Sequence, residues 1–373
     1  MPLTLPSESA ATRSVVGVAD DLFAAITGVG AARVRSGVLV IIDGLGAIQL
    51  RAHAGHARFL TAHMAKRDVA ASVFPSTTAA ALTSILTGAW PGEHGLVGYR
   101  VLDERRDVLV NQLTDWEAAG IDPLVWQARP TVFQRAVAAG HPAYAVGVAA
   151  YAHSGFTRAT LRGAAFVAAA SPAERVATAF ALAEQNDGAL VYCYLPEVDK
   201  AGHKHGVDST EWVTALEEID AALSRTVPDG VGVVVTADHG MLDVPSHRQI
   251  VFDESHEARR LVRHFGGEPR MLHLYLQPGV DTGVAAAAWR AVTEGAADVS
   301  TRAEAIAAGL FGPTVSDAAA SRIGDLVVAA RGNRALYDGM AEDQRGRGMI
   351  GQHGGLTPEE RQVPLIRMGA LTR

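Results

Sequence analysis

The stretch SGVLVIIDGLG, residues 36–46, is an unbroken run of branched apolar residues that ends abruptly in Asp-Gly. A strand with one wet face alternates apolar and polar residues, whereas a strand covered on both faces does not. The run is therefore read as a buried strand with Asp43 at its carboxyl end. AYAVGVAA (143–150), GALVYCYLPEVD (188–199) and GVGVVVTADHGM (230–241) read the same way, and DVAASVFPS (68–76) is a further strand. Helical patterns lie between them. TAAALTSILTG closes at Gly88, and STEWVTALEEIDAALSRTV (209–227) sets Trp212, Leu216, Ile219 and Leu223 at helical spacing. Buried strands alternating with helices predict an α/β fold, a three-layer sandwich around a mostly parallel central sheet.

Residues 243–347 follow another pattern. They hold SHRQIVFDESHEARR, an alternating PRMLHLYLQPG strand, alanine-rich helices and RIGDLVVAARGNRALY. This segment is expected to be a smaller α+β insertion, after which GMIGQHGGLTPEERQVPLIRMG returns to the main sheet. The expected organisation is a single domain over 1–373, with a core at about 36–242 and 348–373 and the inserted subdomain at about 243–347.

Composition narrows the function classes. The 373 residues are 48% apolar and 20% charged, which suits a globule with a substantial core. A net charge of −7 gives no electrostatic reason to expect nucleic acid as a partner. The single cysteine, Cys193, excludes an internal disulfide framework and fits a reducing compartment. The first 21 residues lack a basic-then-apolar layout, and no uncharged apolar run reaches about 18 residues. A cytoplasmic protein without membrane partners is expected. The oligomeric state is left open.

Ligands of parallel sheets bind beyond the carboxyl ends of the strands. Several candidate strands here end in residues suited to holding metals: Asp43 in IIDGLG, Asp199 and His203 in EVDKAGHKHG, and Asp238 and His239 in TADHGM. The C-terminal return adds His353 in GQHGG. Taken singly, Asp43 is a turn residue, Asp199 a helix cap and His353 a loop residue. Together at one sheet edge they form a nitrogen/oxygen donor set suited to zinc, with manganese or iron as alternatives.

IIDGLG, FPSTTAAALTSILTG, PEVDKAGHKHG, TADHGM and QHGG stand in the order seen in the alkaline phosphatase superfamily. The chain most resembles the type I phosphodiesterase/nucleotide pyrophosphatase branch, from about residue 36 to 370. The resemblance implies that Thr78, fifth residue of FPSTT, is the nucleophile, with Ser76 as the helix cap. It also implies two divalent ions, zinc first, with manganese, iron or magnesium as alternatives. One would be held by Asp199, His203 and His353, and the other by Asp43, Asp238, His239 and the Thr78 oxygen. Two such ions less three aspartates leave about +1, which favours an anionic substrate. A threonine hydroxyl needs a base or a cation to act as a nucleophile, and no serine-protease-like partner is evident.

The expected activity is metal-dependent hydrolysis of a small phosphate ester or nucleotide through a phosphothreonine. Phosphomonoesterase, phosphonate hydrolase and a catalytically silent binding protein are the alternatives. A sulfatase is disfavoured, because Cys193 in YCYLPE lacks the C/S-x-P-x-R setting. Tyr99 falls where the resemblance predicts an asparagine on a phosphate oxygen, so its hydroxyl is a candidate substrate contact. Arg100, Arg248 and Arg270 are candidate phosphate clamps, and His94 is expected to orient its loop.

Overall fold

The structure, a computed structural model, describes residues 3, 5, 13–30 and 32–372. Ser36–Ile42 sits inside an eight-stranded sheet, parallel to Leu190–Leu195 on one side and Val231–Thr236 on the other. Every residue of that strand is buried, so both its faces are covered, as the unbroken apolar run requires. Read across, the order is Arg13–Ser14, Val69–Ala71, Gln362–Gly369, Val231–Thr236, Ser36–Ile42, Leu190–Leu195, Ala143–Gly147, Ala165–Ala168. Only Gln362–Gly369 runs antiparallel to its neighbours. The sheet is thus mostly parallel, as the sequence predicts.

Helices pack closely on these strands. Val18–Thr27 lies over Ser36–Ile42, and Pro172–Gln185 over Leu190–Leu195. At Gly37 the approach is so close that a Cβ would stand 2.8 Å from Leu22 Cδ1, which explains a glycine inside a strand. Trp212, Leu216, Ile219 and Leu223 all face this core, each buried along the helix Thr210–Leu223. Each such side chain contributes about 1.5–3 kcal/mol by leaving water.

The strand expected over 68–76 is shorter, covering only Val69–Ala71. Ser72 N–H still donates to Arg361 O at 2.7 Å, in register with the ladder, but Ser72 C=O accepts from the Arg361 guanidinium (Nη2 at 3.1 Å) rather than from a neighbouring strand. Within 243–347, Val262–Glu268, Met271–Leu276, Leu326–Ala330 and Ala297–Thr301 form a separate four-stranded antiparallel sheet. It has its own apolar cluster around Phe252, Phe265 and Trp289. Leu242–Asp243 pairs antiparallel with Gly351–Gln352, so the outgoing and returning chains run side by side. That pairing carries His353 back to the edge where Asp238 and His239 leave the main sheet. Among the described residues no helix is long and apolar enough to cross a membrane.

Candidate active site

The site grows from the strand ends. Asp43 follows Ser36–Ile42 directly, and Asp238 and His239 follow the neighbouring Val231–Thr236. The two turns are tied together, with Gly44 N–H donating to Asp238 Oδ1 at 3.3 Å. On the other flank, Leu190–Leu195 leads into the helix Glu197–His205. Its i, i+4 spacing places Asp199 and His203 on one face, with Oδ1 and Nε2 3.3 Å apart. Thr78 is the first residue of the helix Thr78–Thr87, whose positive end favours an anion there.

All seven residues expected at the metal centre meet. Thr78 Oγ1 lies 3.1 Å from His239 Nε2, which is 3.4 Å from Asp43 Oδ1 and 3.5 Å from Asp238 Oδ2. His353 Nε2 stands 3.3 Å from His203 Nε2, and the His353 and His239 rings stack at 3.6 Å. Donor atoms of Asp199, His203 and His353 lie within 4.8 Å of one another, and so do those of Asp43, Asp199 and His239. Asp199 therefore belongs to both groups, whereas the sequence reading gave it to one.

Three features suit these residues to holding a cation. First, each histidine turns Nδ1 to a backbone carbonyl: His203 to Gly351 at 2.8 Å, His353 to Ser76 at 2.9 Å, His239 to Gly240 at 3.1 Å. A ring that donates from Nδ1 presents a lone pair at Nε2, so His203 and His353 aim two lone pairs at each other. Second, Asp43 Oδ1, Asp199 Oδ1 and Asp238 Oδ2 are buried without a hydrogen bond among the described residues. Third, the acids crowd one another. Burial, with the charges of Asp238 and Asp199, pushes Asp43 well above the usual carboxylate range. Burial and Asp199 push Asp238 up to about 7. Burial also pulls His239 down to about 4. Acceptors facing acceptors in a dry pocket are costly unless positive charge lies between them. The donor set fits zinc or a similar divalent ion.

Asp43 is aimed by Tyr194, whose hydroxyl donates to Oδ2 and leaves Oδ1 open. The sequence reading missed Tyr194, although Tyr192 and Tyr194 alternate on one strand and their rings stack 6.2 Å apart. A cavity of about 490 Å³ adjoins Asp43, Thr78 and Asp199. Its walls include Leu82, Tyr151, Phe156, Phe166 and Tyr192.

Other expectations fare differently. Ser76 is not the helix cap. Thr77 occupies that position without a side-chain bond, while Ser76 Oγ donates to Gly355 O at 2.8 Å. Arg270 is no free clamp, because it is fully buried against Glu360, with Nη2 2.7 Å from Oε2. Arg100 and Arg248 are exposed, and the cavity lining includes neither. Tyr99 is also outside that lining; its N–H donates to Glu268 Oε2 at 3.0 Å. His94 accepts from Leu96 N–H and bonds Ser84 Oγ at 2.9 Å, which fits a role in ordering its loop.

The sheet and its surrounding helices are an alkaline-phosphatase-like fold. Murine ectonucleotide pyrophosphatase/phosphodiesterase 5 superposes with a TM-score of 0.69 at 18% identity, covering 90% of this chain and 88% of that one. Its inactive form, solved with AMP, superposes with a TM-score of 0.68 at 17% identity, with the same shares covered. Phosphonoacetate hydrolase from Sinorhizobium meliloti 1021, in complex with phosphonoformate, gives 0.66 at 22% identity, with 90% of each chain covered. No curated protein matches in sequence. The family profile of type I phosphodiesterase / nucleotide pyrophosphatase matches residues 38–356, and the chain belongs to that family. Membership of that family supports phosphoester hydrolysis as its chemistry.

Proposed function

We propose that the protein is a two-cation phosphodiesterase acting on small phosphate esters or nucleotides, with Thr78 as nucleophile. The convergence of three histidine Nε2 atoms and three unpartnered carboxylate oxygens beside Thr78 carries this reading. Asp199, His203 and His353 would hold one cation, and Asp43, Asp238, His239 and Thr78 the other, with Asp199 close to both. Bound there, divalent cations would supply Lewis acidity, lowering the threonine pKa and offsetting charge on the phosphoryl oxygens.

The chain's own residues do the rest. The start of the helix Thr78–Thr87 brings Oγ1 to the cavity, 3.1 Å from His239 Nε2, so that both atoms would face the same cation. His239 keeps Nδ1–H on Gly240 O, so its one Nε2 lone pair would go to the cation, and His239 positions that cation beside Oγ1 rather than acting as its base. The Thr78 hydroxyl gives its proton to water, Oγ1 forms the Thr78–phosphorus bond as the bond to the leaving group breaks, and the departing oxygen takes a proton from water to leave as the alcohol. Water then attacks phosphorus from the vacated side, releasing phosphate monoester and restoring Thr78. The aromatic cavity walls seat the organic part of the ester and keep bulk water from the reacting atoms.

The test is hydrolysis of bis(4-nitrophenyl) phosphate and 4-nitrophenyl phosphate, each with zinc and with chelator. The diester is expected to turn over faster, and chelator to abolish both rates. Faster monoester turnover would move the assignment to a phosphomonoesterase. Release unaffected by chelator would contradict the cation chemistry.

A further inference from the structure

We infer that Ser76 is a positioning residue that locks the nucleophile turn to the loop bearing His353, an inference that rests on the two-cation reading above. Ser76 is fully buried, and its N–H, C=O and hydroxyl groups all bond to residues 353–355. Its N–H donates to Gly354 O at 3.3 Å, and its C=O accepts from His353 Nδ1 at 2.9 Å. The hydroxyl does two jobs. It donates to Gly355 O at 2.8 Å and accepts from Gly354 N–H at 3.2 Å.

The consequence is mechanical. Thr78 is two residues from Ser76, and His353 is one residue before the first glycine that Ser76 grips. The carbonyl fixes the His353 tautomer that presents Nε2 to the centre, and the hydroxyl holds the glycine pair that sets the ring's position. Gly354 sits at φ +119°, a backbone state that side-chain-bearing residues rarely adopt, and a Cβ there would clash with Glu268 Cγ, so the path of this loop is closely defined. Without the Ser76 hydroxyl, Gly354 N–H and Gly355 O lose a shared partner while the rest of the centre stays intact. His353 then wanders relative to Thr78, Asp199 and His203. A hydroxyl that served only the fold would alter stability alone.

Zinc titration of the metal-free protein by calorimetry separates the two roles, comparing wild type with Ser76→Ala and with a Thr83→Ala control. Thr83 is also buried, but its hydroxyl bonds within its own helix, to Ala79 O at 2.6 Å. Wild type is expected to take up two zinc equivalents. Ser76→Ala keeps the carbonyl on His353 Nδ1 but frees the glycine pair that places the ring, and should bind one zinc about tenfold more weakly, the low end of outer-shell effects, with the other unchanged. Its kcat on the diester should fall with little change in KM. Thr83→Ala should melt earlier yet keep both affinities. If the alanine protein does not fold, Ser76→Cys keeps the side-chain shape with a somewhat larger atom and a weaker hydrogen bond, and carries the same comparison. Wild-type zinc affinities in the Ser76 variant, or an equal loss in the Thr83 control, overturn the inference and leave the two-cation reading standing. A wild-type protein that takes up no zinc overturns that reading, and this inference with it.

Discussion

A threonine hydroxyl is a weak acid, so Thr78 becomes a nucleophile only through its surroundings. Those surroundings are unusually specific: a helix start behind it, His239 Nε2 at 3.1 Å, and unpartnered oxygens of Asp43 and Asp238 beyond that ring. Thr78→Ala is expected to lower diester turnover by at least ~10³-fold with folding intact, as loss of a covalent nucleophile does. Thr78→Ser should keep part of the rate, because the attacking oxygen survives. Kinetics with both variants, alongside circular dichroism, check this; near wild-type turnover in the alanine protein would remove Thr78 from the reaction. Most of this residue set is legible in the sequence, because ionisable groups at the ends of long apolar runs have few structural uses. The partners are not. Ser76 reads as a cap since caps precede helices, yet its hydroxyl reaches Gly355, 279 positions away. Tyr194 reads as a strand aromatic, and nothing local shows that its hydroxyl meets Asp43, 151 positions away.

At the scale of elements, the loop carrying His353 is braced from behind by a buried ion pair. Arg270 Nε and Nη2 meet Glu360 Oε1 and Oε2 at 3.0 and 2.7 Å, and both side chains are fully buried. Gly355 N–H and the Thr357 hydroxyl also donate to Glu360, each at 2.8 Å. Burial alone would raise the Glu360 pKa, but the Arg270 charge and these donors outweigh it and hold the group below its ordinary value. A depressed carboxylate stabilises the fold above its unfolded pKa, about 4.3, and loses that contribution as pH falls through the lower folded value. Glu360→Gln leaves Arg270 buried without a counter-charge and should cost about 3–5 kcal/mol at pH 7. The deficit should shrink as pH drops below about 4.3. Urea unfolding of metal-free protein across that range measures both, and a pH-independent deficit would contradict the sign. The same pair explains why Arg270 could not be assigned from sequence: an arginine beside a strand looks alike whether it binds phosphate or a distant glutamate. The strand expected over 68–76 failed for a related reason. Its later residues are apolar enough for a ladder, but Ser72 C=O is taken by the Arg361 guanidinium, 289 positions away.

Across the whole molecule, the sheet is what turns a dispersed donor set into a site. Asp43 and His353 are 310 positions apart in the chain. Adjacent parallel strands bring the Asp43 and Asp238 turns together, the next strand brings Asp199 and His203, and the pairing of Leu242–Asp243 with Gly351–Gln352 returns His353. The strand pattern announced that sheet because burial on both faces leaves no polar alternation to misread. The separate antiparallel sheet within 243–347 was legible only as a change of pattern, since its register depends on pairings such as Met271 with Ala329. The central claim is that seven side chains grip two divalent ions around Thr78. A crystal grown with zinc and measured at the zinc absorption edge tests it directly. The account predicts two anomalous peaks, one among Asp199, His203 and His353 and one among Asp43, Asp238, His239 and Thr78. A map with no zinc among these residues would contradict it.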